Sequence, residues 1–207
     1  MSPINLNVFV ANNIVVISIL VCFCGTLLPS KEAIPDVIFD KSEISVYQTI
    51  LHQGRASSTN EILIHENSTG NTLANTNQEE IEELITELGA PIETLTDWEK
   101  KNKRQTSISK SLDLKINYRI LSSAEFESIF STNDPSASWD NLTIRYGNTD
   151  GFVRLSKPGF DLDNLNSLVL LEHHCGTDCG TGRFLHLRRD QKENWFIANS
   201  LLLWMAY

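Results

Sequence analysis

The stretch "EHHCGTDCGTGRFLHL" (172–187) holds the densest set of chemically capable side chains in the sequence. It sets His173 beside His174, spaces Cys175 and Cys179 as C-x3-C, and reaches a third histidine at His186. Three chemistries are open to such a set. Two thiols close a disulfide when a turn brings their Cα atoms to about 5.5 Å, and Gly176, Gly180 and Gly182 give a hairpin turn its backbone freedom. Thiolates and neutral imidazoles hold a tetrahedral zinc. Cys175, Cys179 and either His173 or His174 could supply three ligands, with His186 returning along a partner strand as the fourth. A thiolate also acts as a nucleophile where a base or a helix start lowers its pKa.

Spacing ranks these readings. Neighbours on a strand point to opposite faces, so His173 and His174 cannot serve one ion without distortion. C-x3-C is not the usual zinc spacing, and no second Cys/His pair completes it. No helix start follows the motif, and Asp178, the carboxylate near Cys175 in sequence, belongs to the turn. No G-x-S-x-G, H-E-x-x-H or phosphate-binding glycine loop occurs. The disulfide therefore stands first. A loop so short contributes about 2 kcal/mol or less, so its role is to fix the shape of the turn. No catalytic residue, metal ligand or cofactor is assigned. The alternative that stays open is a small metal-dependent hydrolase using His173, His174, Cys175, Cys179 and His186.

The elements that must position this stretch follow a clear order. From Met1 to Ser30 the sequence has no charged side chain, and Ile14–Cys24 is apolar except for Ser18. That is the length of a signal-peptide core, while the wider window from Val8 to Leu28 could span a membrane with Asn12 and Asn13 inside it. Residues 1–30 are read as a signal peptide or membrane anchor, 31–40 as a tether, and 41–207 as a single α+β domain. The folded part is then exported: in the cell envelope, anchored to a membrane, or secreted. An oxidising compartment suits a disulfide between the two cysteines outside the leader. The 207 residues carry a formal charge of −9 and 41% hydrophobic residues. Enough apolar side chain exists for a core. The acidic balance and the lack of a basic stripe argue against nucleic acid as a partner.

"KSEISVYQTILHQ" carries Ile44, Tyr47, Ile50 and Leu51 at helical spacing. Ile62–His65 reads as a strand with His65 at its surface end, running into a mobile polar loop over 66–77. Ile81, Leu84, Ile85 and Leu88 form a second helical stripe with acidic residues towards its start, ended by Gly89 and Pro91. Thr96 and Glu99 predict a capping box for a short third helix, and Ser122 and Glu125 predict one for a fourth. Residues 112–121 alternate as a strand, "NDPSASWDN" reads as a turn, and "LTIRYG" begins a series of short apolar runs to the C-terminus. The expected fold is α+β: N-terminal helices, then a C-terminal antiparallel meander, with a cystatin-like or NTF2-like cradled helix as the candidate arrangement. Trp98, Trp139, Trp195 and Trp204 are read as core or groove-rim residues.

Over residues 115–205 the pattern resembles a family of exported bacterial proteins without an assigned activity. The residues that carry it are "YRILSSAEFESIFS", "GFVRLSKPGFD", "LVLLEHHCGTDCGTGRFLHLRR" and the terminal "LLLW". Cys175, Gly176, Cys179, Gly180 and Gly182 match the family's glycine-rich turn. The chain departs from the pattern at its end, where "LLLWMAY" replaces a short polar ending. The resemblance implies one compact exported domain and carries over no catalytic residue. The function expected is non-enzymatic binding of an envelope or extracellular partner, with the N-terminal segment meeting the membrane.

Overall fold

A computed structural model describes residues 40–53, 61–73, 76–108, 112–147 and 149–206. The expected leader and all of the tether except Asp40 lie outside the described residues. Among the described residues no helix is long and apolar enough to cross a membrane.

Helix α1 (Lys41–Gln53) starts where Asp40 accepts from the Glu43 amide at 2.8 Å and Glu43 reaches back to the Asp40 amide at 3.2 Å. That reciprocal pair satisfies two donors the first turn cannot bond internally. Val46, Tyr47, Ile50 and Leu51 form its buried stripe. Strand β1 (Ile62–His65) is buried throughout. Helix α2 (Gln78–Leu88) is capped by Asn77 and stops at Gly89, whose φ of 69° is the left-handed conformation glycine adopts without steric cost. Pro91 then opens helix α3 (Ile92–Asn102) as its N-cap. The predicted Thr96–Glu99 capping box does not form. Thr96 lies inside the helix and gives its hydroxyl to the Ile92 carbonyl at 3.2 Å, because the fixed φ of Pro91 already sets the helix start.

Strand β2 (Tyr118–Leu121) is only the end of the strand expected over 112–121. Leu112 and Leu114 are buried outside it, and Tyr118 donates its hydroxyl to the Leu112 carbonyl. Helix α4 (Ser123–Phe130) carries the predicted Ser122–Glu125 capping box. Helix α5 (Pro135–Tyr146) overturns both the turn expected at 133–141 and the strand expected at 142–147. Asp134 accepts from the Ser136 and Ala137 amides and Pro135 takes the first helical position. This start is strong enough to override the local β preference of Thr143, Ile144 and Tyr146.

Strands β3 (Phe152–Leu155), β4 (Gly159–Phe160), β5 (Asn166–Gly176), β6 (Cys179–Arg189) and β7 (Trp195–Ala206) complete a seven-stranded sheet in the order β2-β1-β3-β5-β6-β7, with β4 beside β5. The fold is α+β as expected, but the sheet is mixed. β5, β6 and β7 make the antiparallel meander, while β1 pairs in parallel with both β2 and β3. The helix pairs α2–α3 and α4–α5 are the crossovers that parallel pairing requires.

Alternation along the strands sends Ile62, Ile64, Val153, Leu155, Val169 and Leu185 into one core with α1. Leu63 and Phe152 face the other side under α4 and α5, and Leu168, Leu170 and Phe184 face it under α2 and α3. Among the described residues α1 is one of five helices, and the other four lie on the opposite face of the sheet. Ser156, fully buried, ties the layers together. Its hydroxyl accepts from Trp98 Nε1 at 2.7 Å and from the Leu170 amide at 2.8 Å, and its carbonyl accepts from Tyr47 at 3.0 Å.

Candidate functional site: a ring-lined cleft beside the cysteine hairpin

Cys175 and Cys179 are joined as a disulfide across the tip of the β5–β6 hairpin, with their Cα atoms 5.0 Å apart. His173 pairs with Val153 and His174 with Phe152, so the adjacent histidines face opposite sides of the sheet. His173 Nε2 lies 2.6 Å from the Asp150 carbonyl. His186 shares a face with His174 but pairs with Leu168, while His174 pairs with Gly180. Six residues of strand separate Gly180 from His186, which is about 20 Å. His186 is buried beneath the end of α2. It lies 3.0 Å from Asn166 Oδ1 and hydrogen-bonds the Leu88 carbonyl, and burial lowers its pKa. The metal set that the sequence left open is therefore not assembled: its thiols are joined and its histidines are apart. Among the described residues no group of three His, Cys, Asp or Glu side chains is placed to hold a metal ion.

The structure instead links His174 to residues far away in sequence. A Cβ on Gly182 would run into the Trp204 indole, and one on Gly180 would come within 3.2 Å of it. The two glycines thus let Trp204 lie over β6. Trp204 backs His174 at 5.5 Å between ring centroids, and His174 stacks on Phe152 at 4.9 Å. Phe152 continues the array to Trp139 at 5.9 Å, Phe130 at 5.7 Å and Phe126 at 5.5 Å. Phe126 meets the edge of His65 at 4.7 Å.

All of these rings except Trp204 line a cleft of about 470 Å³, which Asn67, Gln105, Ser123, Glu127 and Arg154 complete. On its sheet face the charged groups are linked. Arg154 pairs with Glu172 across β3 and β5, with Nη1 3.6 Å from Glu172 Oε2. His174 Nε2 is 3.7 Å from that same oxygen. Arg154 Nε and His174 Nε2 are buried without a hydrogen-bond partner, although buried polar groups are nearly always satisfied. On the far wall, Asn67 donates to the Ser123 hydroxyl at 2.9 Å and Glu66 accepts from the Ser123 amide at 2.7 Å, fastening the end of β1 to the start of α4.

His65 is buried, 5% exposed, not at the surface as the sequence suggested. Parallel pairing with β3 draws the end of β1 beneath Phe126. Burial is the main cause that pushes its pKa down to about 4, and Arg154 adds to it. Its Nδ1 lies 3.0 Å from the Asn67 amide nitrogen and 3.2 Å from the Asn67 carbonyl oxygen, so the Asn67 backbone fixes the ring against the cleft wall.

A second cavity, of about 530 Å³, lies beside α3. Several of its charged groups are already engaged. Lys101 pairs with Asp97 at 2.8 Å, and Asp161 accepts from the Leu165 and Asn166 amides to close its own turn. The cleft at His174 differs in holding two buried nitrogens, Arg154 Nε and His174 Nε2, without a hydrogen-bond partner among its rings.

Of the residues predicted to do chemistry, only His174 lines the cleft. His65, Phe126, Phe130, Trp139, Phe152 and Arg154 join it from four other elements. The sequence did carry a signal for two of them: the alternation in "GFVRL" places Phe152 and Arg154 on one strand face. Comparison with family models, curated proteins and solved structures finds no match.

Proposed function

We propose that this chain is an exported or membrane-anchored, non-enzymatic binding domain whose ligand enters the cleft beside the cysteine hairpin. One observation carries the reading: Arg154 Nε and His174 Nε2 are buried, without partners, in a cleft walled by aromatic rings. Arg154 Nε lacks an acceptor, His174 Nε2 meets only Glu172 at 3.7 Å, and the rings favour a flat apolar body. Arg154 is already balanced by Glu172, and His65 is neutral. The ligand class that fits is therefore a neutral molecule, or the exposed side chain of an envelope partner, with an aromatic or flat face and a carbonyl-type acceptor. The uncharged leader and the disulfide support export, as does the resemblance to exported proteins.

The test uses benzamide, which has that ring and that acceptor. Titrated into the isotopically labelled full chain, it should shift the backbone amides of Asn67, Ser123 and His174, with a Kd of about 1 mM for so small a ligand. Arg154→Met should weaken binding about tenfold. Shifts confined to other regions, or none at millimolar concentration, would count against the cleft. Export is read separately: non-reducing peptide mass spectrometry of the chain recovered outside the cytoplasm should find the Cys175–Cys179 link.

A further inference from the structure

Strand β7 is an outer edge of the sheet. Its 12 residues, "WFIANSLLLWMA", include no charged side chain and no proline. Exposed sheet edges are normally blunted by short length, charge or proline, because their free backbone groups invite another strand. The opposite edge obeys that rule. β2 has 4 residues, and Arg119 on it pairs with Glu61 at 3.1 Å. On β7, by contrast, Phe196, Leu202 and Met205 are 39%, 42% and 42% exposed.

The two ends of β7 also differ. In its first half, Ile197 packs into the α1 core and gives its amide to Gln53 at 3.4 Å, while the Ser200 amide is held by Asn199 at 2.9 Å. From Leu201 to Ala206, no side chain among the described residues caps the backbone. Leu202 pairs with Arg183 and Met205 with Thr181, and the register shifts between Gly182 and Arg183. That bulge bends the strand but removes neither its free edge nor its apolar side chains.

We propose that β7 is a homodimer interface, in which this strand pairs antiparallel with β7 of a second copy, starting from Leu201–Ala206. Three features favour a second copy over another occupant. Antiparallel pairing of a strand with itself closes under two-fold symmetry and uses the β7 edge of both copies, leaving only the short β2 edges. An uncharged strip lets two chains of net charge −9 meet without like charges directly opposed. Leu202 and Met205 also present the same apolar chemistry to their own copies. The extent sets the strength. Twelve residues make an edge about 40 Å long, which at a thickness of about 10 Å buries about 800 Å² in total before side chains are added. That places the dimer in the weak class, with a Kd of about 10–100 µM.

Sedimentation equilibrium of the full chain, in one fixed detergent throughout, should show the mass rising from one copy to two between about 1 and 300 µM. The double variant Leu202→Lys/Met205→Lys should stay monomeric, with association weakened at least tenfold. Leu162→Lys, at a position 89% exposed in the β4–β5 loop, outside β7, should dimerise like the parent. Circular dichroism confirms that each variant is folded. If the double variant unfolds, Met205→Lys alone decides. A parent that remains monomeric at the top concentration overturns the proposal, and so does an edge variant that dimerises with the parent's affinity.

Discussion

Two helix pairs cover the same face of the sheet and do so in opposite ways. Over β5 and β6, α2 and α3 seal completely: Trp98 meets the edge of Phe184 at 5.1 Å, and Ile81, Ile85, Leu88 and Leu95 close around Leu168 and Leu170. Over β1 and β3, α4 and α5 bring more rings, Phe126, Phe130, Trp139 and Tyr146, yet leave a cleft. The difference lies in the sheet. Under α2 and α3 the alternating positions are leucine and phenylalanine, except for His186, whose ring nitrogens are met by Asn166 and the Leu88 carbonyl. Under α4 and α5 the same alternation presents His65, Arg154, Glu172 and His174. A helix cannot settle onto such side chains without stripping their polar atoms of hydrogen bonds, which costs about 1–3 kcal/mol for each one left unmatched. Sheet chemistry, not helix chemistry, decides where the lid stays open.

The comparison is broken most severely at its sealed end. Trp98→Ala removes the largest fully buried side chain and its hydrogen bond to Ser156. Urea unfolding should show a loss of about 3–5 kcal/mol. Phe130→Ala, on the open side and only partly buried, should cost less than half of that.

Acid is expected to sharpen the contrast. In the unfolded chain His65 takes up its proton near pH 6.5, and in the folded protein only near 4. Protons therefore favour the unfolded chain. Stability that is full above pH 6.5 should fall as the pH drops towards 4, by up to about 3 kcal/mol. His65→Leu should flatten most of that slope in denaturant titrations across pH 4–7. A smaller slope of the same sign should persist from His186, whose pKa is also lowered by burial.

Gly182→Val is a smaller perturbation, because it moves only Trp204. The added side chain must displace the indole that backs His174. A loss of about 1–3 kcal/mol is expected in thermal or urea unfolding, and benzamide binding should weaken as His174 loses its support. The smallest effect belongs to the disulfide. Replacing Cys175 and Cys179 together by serine should cost about 2 kcal/mol or less, with the hairpin amides showing the largest changes in hydrogen exchange.

Local chemistry in the sequence foretold the elements well where it acted within one turn. The stripe of Ile81, Ile85 and Leu88, the stop at Gly89 and the Ser122–Glu125 box all appear as predicted. It misled where two local signals competed. Thr143, Ile144 and Tyr146 favour strand, but Asp134 and Pro135 had already committed the chain to a helix. The cysteine hairpin could be read because its partners are neighbours. The cleft could not, since it depends on β1 pairing in parallel with β3 across four helices, which no periodicity encodes. That pairing buries His65, which ends an apolar strand and by composition alone looks like a surface residue.

The central place of β1 has a consequence for how the chain acquires its structure. Strands β5, β6 and β7 meet through short turns and can zip together from local contacts. β1 is made early yet must wait for partners that each follow a helix pair, so its ladder closes longer loops than any other strand pairing in the sheet. Loop closure is costly until distant contacts repay it, and a topology of this kind folds slowly. Pulse-labelled amide exchange during refolding should protect Leu185 and Leu187 before Leu63 and Ile64. If so, the cleft is the last part of the molecule to exist, and any ligand it takes meets a protein that has already finished folding.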